Sequence, residues 1–327
     1  KWEKQISYNL GLDFTLFDSR LSGNLDFFIR DGKDIINNYA VPMPPYLHSS
    51  ITTNVGTTQS KGVELSVNWD AVKTKDFSYS TNLTLSYMKT MMKSFSNETY
   101  SLSYIEGDGF PSPGNPGAAQ RLRENTEIGT FYMSRYAGVD ENGNILIWKD
   151  GKVGGETKLG SDANENDKVY LKDTGVPKYE LAWGNTFTYK NFDLSLFFRG
   201  KFKYKIMNQY EMYYGLQVVS GSNLLHSAFE ENAHIKGAKV MCDYDGFLQN
   251  GDYLRLDNIT LGWNPKINSK WISNLRVYTS MKNVFTLTSY TGMDVANVNT
   301  NGIWPGIGSM SVYPSARNLT FGVQITY

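Results

Sequence analysis

The chain of 327 residues is long enough for one large domain or two ordinary ones, and it is rich in aromatic side chains, with 22 Tyr, 17 Phe and 7 Trp. Its 32 basic and 32 acidic residues balance, so the totals argue against a basic protein that binds nucleic acid. The single cysteine, Cys242, excludes an intramolecular disulfide and a CxxC zinc site, and no apolar run approaches the roughly 20 residues that a transmembrane helix requires.

Four segments near the beginning of the chain alternate between apolar and polar side chains, which predicts strands with one apolar and one polar face. They are residues 2–16, 21–30, 62–69 and 77–87. Short turns near residues 18–20 and 73–76 and a proline-marked loop at 41–50 connect them. The first strand follows no signal peptide, so we expect a processed or partial chain. Aromatic residues near the ends of the apolar stripes are typical of the interfacial girdles of lipid-facing barrels.

Two long segments interrupt the alternation, and we expect both to be extracellular loops. The first, residues 92–177, contains a Gly/Pro-rich run and a predicted hairpin with Asn142-Gly143 at its turn. Because a structureless loop of this length is unusual, we expect it to have structure or function of its own. The second, residues 208–250, holds several tyrosines and two histidines. Further strands are predicted at residues 179–189, 192–198, 252–263 and 275–287.

The last strand has an apolar face that runs to the final residue, Tyr327, with no polar tail. Along about nine predicted strands, short turns and long loops alternate strictly, which is the asymmetry of outer-membrane barrels. A soluble lipocalin-type barrel shares the up-and-down order but turns its apolar face inward, and the pattern alone does not say which face is inside. An odd strand number and two open edges favour the C-terminal part of a larger transmembrane antiparallel β-barrel.

Several collinear stretches resemble one family. The clearest are Tyr8-Asn9-Leu10-Gly11-Leu12-Asp13, Lys61-Gly62-Val63-Glu64, Gly138-Val139-Asp140-Glu141-Asn142-Gly143, Tyr189-Lys190-Asn191-Phe192-Asp193-Leu194, Tyr253-Leu254-Arg255-Leu256-Asp257-Asn258-Ile259-Thr260-Leu261-Gly262 and Tyr313-Pro314-Ser315-Ala316-Arg317. In these stretches the chain resembles the SusC/RagA-type TonB-dependent outer-membrane transporters of the Bacteroidota.

The resemblance implies an all-β outer-membrane barrel of about 22 strands, of which residues 1–327 supply the last nine. It implies a plug domain and a TonB box, neither of which is found in this sequence, and therefore the remaining plug and barrel portion as a partner. It also implies a SusD-like lipoprotein lid, TonB as the source of energy, a lipid bilayer around the barrel and a dimer of transporter–lid pairs. Val323, Ile325 and Tyr327 are expected to form the C-terminal signal for barrel assembly, with an ordinary girdle aromatic as the alternative role of Tyr327.

Aromatic side chains in the loops are the candidates for substrate binding, because sugars stack their apolar faces on such rings. The candidates are Tyr46, Tyr104, Trp148, Tyr213, Tyr214 and Trp304. Packing against neighbouring loops or a partner is the commoner use of loop aromatics and remains the alternative.

A calcium-loop spacing is present at Asp162, Asn164, Asn166 and Asp173, but Asp167 stands where that loop needs Gly. A polar loop is the favoured interpretation, with calcium in an extracellular loop as the alternative and no other cofactor expected. The three histidines lack metal-ligand spacing and are interpreted as surface residues. Three alternate lysines, at positions 201, 203 and 205, are predicted to share one solvated face at the lumen or rim, with a basic patch that meets an acidic substrate or headgroup as the alternative.

No Ser/His/Asp, Cys/His or paired-carboxylate arrangement stands out, so no enzyme is predicted. The main hypothesis is TonB-dependent import of an oligosaccharide or a peptide across the outer membrane. The alternative is a soluble or surface-exposed all-β module that binds glycans through its loop aromatics. An enzyme of the outer-membrane phospholipase kind would need a nucleophile and a histidine at the lumen edge, which the patterned strands do not offer.

Overall fold

The wall of the molecule is a single antiparallel sheet. The computed structural model describes residues 2–41, 43–96, 101–110, 117–217, 221–236 and 244–327. In this part of the chain, nine long strands pair in sequence order, each with the long strand before and after it. They are β1 (Lys4–Leu16), β2 (Leu21–Ala40), β3 (Ser50–Lys73), β4 (Phe77–Ser94), β5 (Tyr179–Tyr189), β6 (Phe192–Phe202), β7 (Tyr253–Trp263), β8 (Asn274–Thr288) and β9 (Asn318–Thr326). The predicted all-β wall and its nine strands are confirmed.

The register brings like residues together on each face of the sheet. Between β4 and β5, Tyr87 pairs with Tyr179 and Tyr79 with Phe187, whereas Asn82 pairs with Gly184 on the opposite face. The apolar face is uncovered: Leu10 is 73% exposed. A continuous apolar face of this size is the surface that a membrane barrel presents to lipid, so the polar face lines the lumen.

The outward face of β5 has the height of a bilayer. The strand begins and ends on tyrosine, and its 11 residues run from Tyr179 to Tyr189. With a rise of ~3.4 Å per residue and a tilt of ~40°, it spans about 26 Å of the membrane normal, close to the apolar band of known barrels. Rings pack together near both ends of this band: Tyr79 stacks on Phe187 at 4.6 Å, and Tyr87 lies tilted against Tyr179 at 5.3 Å. The two predicted girdles are therefore present.

The turns at one end of the wall are short. In the turn after β1, three successive residues have left-handed backbones, Phe17, Asp18 and Ser19, with φ of 56°, 52° and 65°. Arg20 then donates hydrogen bonds from its guanidinium to the carbonyl oxygens of Asp70 and Ala71, at 2.8–3.1 Å. This contact fixes the turn to the end of β3.

Two strands are longer than the alternation predicts. β2 has 20 residues and β3 has 24, and both continue past the apolar band into segments in which polar residues occur on both faces. Outside the bilayer, water covers both sides of the sheet, so the sequence loses the period of two while the strand continues. The predicted loop at 41–50 agrees with the structure to within one residue, since β2 ends at Ala40 and β3 begins at Ser50.

The long segments at the other end are folded rather than irregular. The first contains short strands at Ile105–Glu106, Arg121–Leu122, Thr126–Glu127, Thr130–Ser134, Tyr136–Val139, Ile145–Trp148, Thr157–Leu159 and Lys168–Thr174, with 3₁₀ turns at Lys149–Gly151, Gly160–Asp162 and Glu165–Asp167. Tyr136–Val139 pairs with Ile145–Trp148, which confirms the predicted hairpin. Its Gly143 has φ 85°, a left-handed conformation that glycine adopts without strain.

The second and last long segments join the first. They contain the strand Lys205–Asn208, helix α1 (Gln209–Tyr214), 3₁₀ turns at His226–Ala228, Asp245–Phe247 and Val295–Asn297, and strands Leu248–Asn250 and Ile307–Gly308. Lys205–Asn208 lies between the other two strands, antiparallel to Leu248–Asn250 and parallel to Ile307–Gly308. We call the described residues of 95–178, 203–252 and 289–317 the loop layer.

The largest hydrophobic core of the described chain lies in the loop layer. Phe131, Ile147, Met207 and Met212 are 0% exposed and come from two different loops. The wall has no comparable interior, since its apolar side chains face outward. None of the helices described is long and apolar enough to cross a membrane.

Candidate lumen and loop site

A shallow polar cavity of about 370 Å³ lies along the wall strands β3 to β7. Asn68, Asn82 and Asn258 supply amide groups to its lining, and Thr186 supplies a hydroxyl. Gly184 makes room for this arrangement, because a Cβ there would lie 2.0 Å from Oδ1 of Asn82. The surface offers many hydrogen bonds and little net charge.

Three ion pairs lie on the lumen face of strands β5 to β8. Arg276 meets Asp193 at 2.5 Å, and Arg199 forms an ion pair with Asp257. Lys201 meets Glu180 at 3.2 Å. In this part of the wall the paired charges leave a surface that is polar but close to neutral, which suits uncharged or zwitterionic solutes better than strong ions.

A buried ion pair fastens the last loop to the wall. Arg255 on β7 and Asp294 in the loop contact each other, and both side chains are 6% exposed. Arg255 also donates to Oγ1 of Thr286 at 2.8 Å, and Asp294 accepts from the backbone of Ser315 at 3.2 Å. Burial alone would raise the pKa of Asp294, but the hydrogen bonds from Ser315 and Arg255 hold it below its usual value. We call this contact the loop latch.

A second charged cluster lies within the loop layer. The guanidinium of Arg121 lies between the rings of Tyr104 and Tyr132, 4.0 and 4.3 Å from their centroids. It meets Glu106 at 2.7 Å and Glu165 at 2.9 Å. Burial alone would lower the pKa of Arg121, but the hydrogen bonds to these two carboxylates raise it above its usual value. Arg121 is therefore a permanent cation that is held by two carboxylates and two rings, and its contact fixes the Tyr104 ring in place.

An enclosed cavity of about 150 Å³ lies beside Trp304. Gln120, which lines it, is 2% exposed and donates through Nε2 to the carbonyl oxygens of Gly129 and Pro305, at 2.9 and 2.8 Å. Its Oε1 is buried and accepts no hydrogen bond from the described residues. An aromatic ring and a free acceptor next to a small cavity are what a hydroxyl-bearing or N–H-bearing ligand needs.

The comparisons with known proteins agree with this geometry. A family profile described as TonB dependent receptor-like, beta-barrel, matches residues 1–284. The chain belongs to this TonB-dependent receptor barrel family. Receptors of this family are outer-membrane β-barrels, which places the wall in an outer membrane.

Curated relatives of this receptor barrel match along the whole chain. The chain is 28% identical to the TonB-dependent receptor P3 of Formosa agariphila, over 363 aligned residues that are 34% of that protein. It is 27% identical to the TonB-dependent receptor SusC of Bacteroides thetaiotaomicron, over 346 aligned residues that are 32% of that protein. The chain therefore spans about a third of the length of these relatives. The sequence resemblance to SusC/RagA-type proteins is confirmed.

Solved structures show the same fold. The RagAB peptide importer in its closed-closed state superposes with a TM-score of 0.80 at 22% identity, covering 99% of this chain and 35% of that one. The open-open state gives a TM-score of 0.77 at 23% identity, covering all of this chain and 35% of that one. At these identities the likeness concerns the fold of the receptor barrel.

The receptor barrel does not bring the six candidate loop aromatics together. Tyr213 is 1% exposed inside the core of the loop layer, with Tyr214 packed against it, so packing describes both better than ligand contact. Tyr46 is 43% exposed in the loop after β2, and Trp148 is half-buried in its hairpin strand. Trp304 alone among the six lines the enclosed cavity.

Apart from Trp304, the residues that line that cavity do not stand out in the sequence. Gln120 and Pro305 are 185 positions apart, and no local pattern signals their contact. The three lysines at 201, 203 and 205 were predicted to share a face, which is wrong. Lys203 has φ 61°, β6 ends before it at Phe202, and Lys205 belongs to a separate strand.

The segment with calcium-loop spacing contains a capped 3₁₀ turn in this receptor barrel. Oδ1 of Asn164 accepts from the backbone of Asn166 at 2.9 Å and caps a 3₁₀ turn. Within the described ranges, no three His, Cys, Asp or Glu side chains lie close enough to hold a metal ion. Calcium binding at Asp162, Asn164, Asn166 and Asp173 stays a prediction. Cys242 lies outside the described residues.

The proposed assembly signal lies on the lipid-facing side of the last strand. Val323 is 63% exposed, Ile325 44% and Tyr327 88%. Val323 and Ile325 are register partners of Val277 and Leu275 on β8. Recognition by the assembly machinery stays a prediction that concerns these three residues.

Proposed function

We propose that this chain is the wall and loop layer of a TonB-dependent importer that carries an oligosaccharide, or alternatively a peptide, across the outer membrane. The observation that carries the proposal is the division of the sheet into an uncovered apolar face and a polar face that carries ion pairs. Such a wall separates lipid from a water-filled path and presents hydrogen-bonding groups to a passing polar solute.

The loop layer supports capture at the extracellular end. Its core is closed, its strands join two loops, and the loop latch ties the last loop to the wall. A rigid mouth holds its binding groups in place before the solute arrives, which reduces the entropy cost of binding. The cavity beside Trp304 is the part of this mouth that we assign to the solute.

The partners follow from the resemblance to SusC and RagA proteins. A SusD-like lipoprotein would cover the loop layer, and TonB would act through the parts of the receptor outside this chain. Two such transporter–lid pairs are proposed to associate. The matched relatives are named as receptors, which supports a role other than catalysis. A soluble glycan-binding module does not fit, because its apolar face would turn inward.

Uptake by cells that produce the full-length receptor tests the proposal. We expect labelled oligosaccharides, or peptides as the second pool, to accumulate only when both the receptor and TonB are present. The surface lipoprotein should co-purify with the receptor in detergent. Accumulation that is unchanged when the receptor or TonB is removed would contradict active import by this protein.

A pair of variants assigns the capture site. Trp304→Ala should weaken solute binding by up to about tenfold, since it removes one aromatic face from the cavity. Trp148→Ala is the matched control, because this ring lies in another part of the loop layer. An equal loss of affinity in both variants would show that the solute binds elsewhere, and the import proposal would be unaffected.

A further inference from the structure

Six lysines lie together at the extracellular edge of the wall. They are Lys61, Lys89, Lys172, Lys178, Lys203 and Lys205, and we call them the lysine collar. Lys61 and Lys89 are register partners, each two residues beyond the outward-facing pair Val63 and Tyr87. Two residues of strand measure about 7 Å, so the collar begins directly above the aromatic girdle.

The collar borders two grooves that meet at Tyr87. The lower groove, about 590 Å³, is lined by apolar outward-facing side chains such as Leu10, Phe27 and Val63, and Lys61 and Lys89 are part of its lining. The upper groove, about 630 Å³, contains the other four lysines. The outer face of the wall therefore has an apolar lower groove and, above it, an upper groove lined by lysines.

Few carboxylates balance this charge. Glu127 meets Lys89 at 3.8 Å and also contacts Lys178. Asp252 accepts a hydrogen bond from the backbone of Lys203 at 2.6 Å, and Asp173 lines the same groove. In the described chain, no carboxylate forms an ion pair with the side chain of Lys61, Lys172, Lys203 or Lys205. A concave surface with unpaired ammonium groups attracts an anion with several acceptor oxygens.

We propose that the lysine collar and the groove below it bind a phosphorylated glycolipid of the outer leaflet. Its phosphate groups contact the lysines and one acyl chain lies in the apolar groove. The charge and the polarity gradient match such a lipid: apolar at the level of the girdle, cationic where the headgroup begins. The site is on the outside of the wall and is independent of the imported solute.

Binding of the phosphorylated glycolipid to the full-length receptor in detergent is the test. The variant carries Lys61→Gln, Lys89→Gln and Lys172→Gln, three exposed positions whose change leaves Lys178 to hold Glu127. We expect its affinity for the glycolipid to fall by at least about tenfold, since each lysine near an anionic surface contributes to binding. Less endogenous glycolipid should also co-purify with it.

A matched control removes lysines from the opposite end of the wall. Lys73→Gln with Lys75→Gln, at the turn between β3 and β4, should bind the glycolipid as the unchanged receptor does. The dephosphorylated glycolipid should bind the unchanged receptor as weakly as the phosphorylated one binds the collar variant. Equal affinities of the collar variant and the unchanged receptor would overturn the proposal. So would full displacement by millimolar inorganic phosphate, which would identify a site for the free anion.

Discussion

On the lipid-facing side of the wall, the hydroxyl of Tyr79 is the hydrogen-bond donor to the side-chain oxygen of Asn185. Asn185 points outward from β5, is 5% exposed, and accepts a hydrogen bond from the hydroxyl of Tyr79 at 2.8 Å. The Tyr79 ring covers it while stacking on Phe187. In hydrocarbon an amide without a partner is costly, so the tyrosine makes the asparagine compatible with its position.

Tyr79→Phe should destabilise the receptor by about 1–3 kcal/mol, because Oδ1 of Asn185 loses its donor while the ring stacking remains. Thermal unfolding in detergent measures the effect. Adding Asn185→Leu should recover most of the loss, since the pair is then wholly apolar. Additive effects of the two substitutions on stability would show that the hydrogen bond does not couple the two residues.

A buried carboxylate in the loop layer gives a pH dependence. Asp167 is 1% exposed and accepts from Nζ of Lys158 at 2.6 Å and from the backbone of Asp150 and Asn164. Burial alone would raise its pKa, but these hydrogen bonds lower it below its usual value. Because folding lowers this pKa, the ionised carboxylate stabilises the fold at pH values above the unfolded-state pKa of about 3.9. This contribution is lost as the pH falls through the folded-state pKa.

Asp167→Asn should therefore lower the unfolding temperature at neutral pH, and the difference from the unchanged receptor should shrink towards acid pH. Unfolding followed at a series of pH values measures it. The matched control is Glu156→Gln, whose carboxylate also meets a lysine, Lys149, but with a side chain that is 79% exposed. That change should have little effect at any pH. A pH-independent loss in Asp167→Asn would contradict the assignment.

At the scale of elements, the wall strands could be predicted from the sequence where lipid covers one face. The alternation in β5, from Tyr179 to Tyr189, is visible because each side chain meets either lipid or water. It fades in the outer parts of β2 and β3, where both faces are wet. The two aromatic girdles followed from the same alternation.

The candidate site could be predicted only in part, because its contacts join distant loops. Trp304 was recognisable as a loop aromatic, but its cavity depends on Gln120 and Gln209 from two other loops. Tyr213, chemically similar, is inside the core. Exposure in such a layer depends on how the loops pack, and no pattern within one loop contains that information.

The loop latch predicts how the last loop behaves. Arg255→Gln removes one partner of a buried pair and should destabilise the loop by about 3–5 kcal/mol, because Asp294 would remain buried without its cation. Residues 289–317 should then exchange amide hydrogens faster and be cut sooner by protease. Arg317→Gln is the control, because it changes an exposed arginine that lines the same cavity, of about 290 Å³, as Arg255 and Asp294. Equal protection of the loop in both variants would mean that the latch does not hold it.

For the molecule as a whole, the buried apolar core and the membrane-facing surface are in different places. Phe131 and Ile147 are fully buried in the loop layer, whereas Leu10 and Phe321 on the wall are 73% and 77% exposed towards lipid. The wall depends on its hydrogen-bonded ladder and on the bilayer. The loop layer depends on packing, as a water-soluble domain does.

Phe131→Ala should destabilise the loop layer by about 3–5 kcal/mol through the cavity that it leaves. Hydrogen exchange of the full-length receptor should show faster exchange in residues 119–174 and unchanged protection in β5 to β8. Leu10→Ala, which removes apolar surface from the lipid face instead, should spare the loop layer. Loss of protection throughout the wall in Phe131→Ala would show that the two regions unfold together.

The three-stranded sheet in which Lys205–Asn208 joins Leu248–Asn250 and Ile307–Gly308 has a consequence for how such receptors diversify. Loops that share a sheet and a core are not exchangeable modules, because replacing one leaves its neighbours with unpaired backbone and voids. New specificities would arise more readily by point substitutions at the mouth, or by replacing all the loops together, than by recombining them one at a time. The wall requires only that apolar and polar side chains alternate along its strands, so it is compatible with either kind of change.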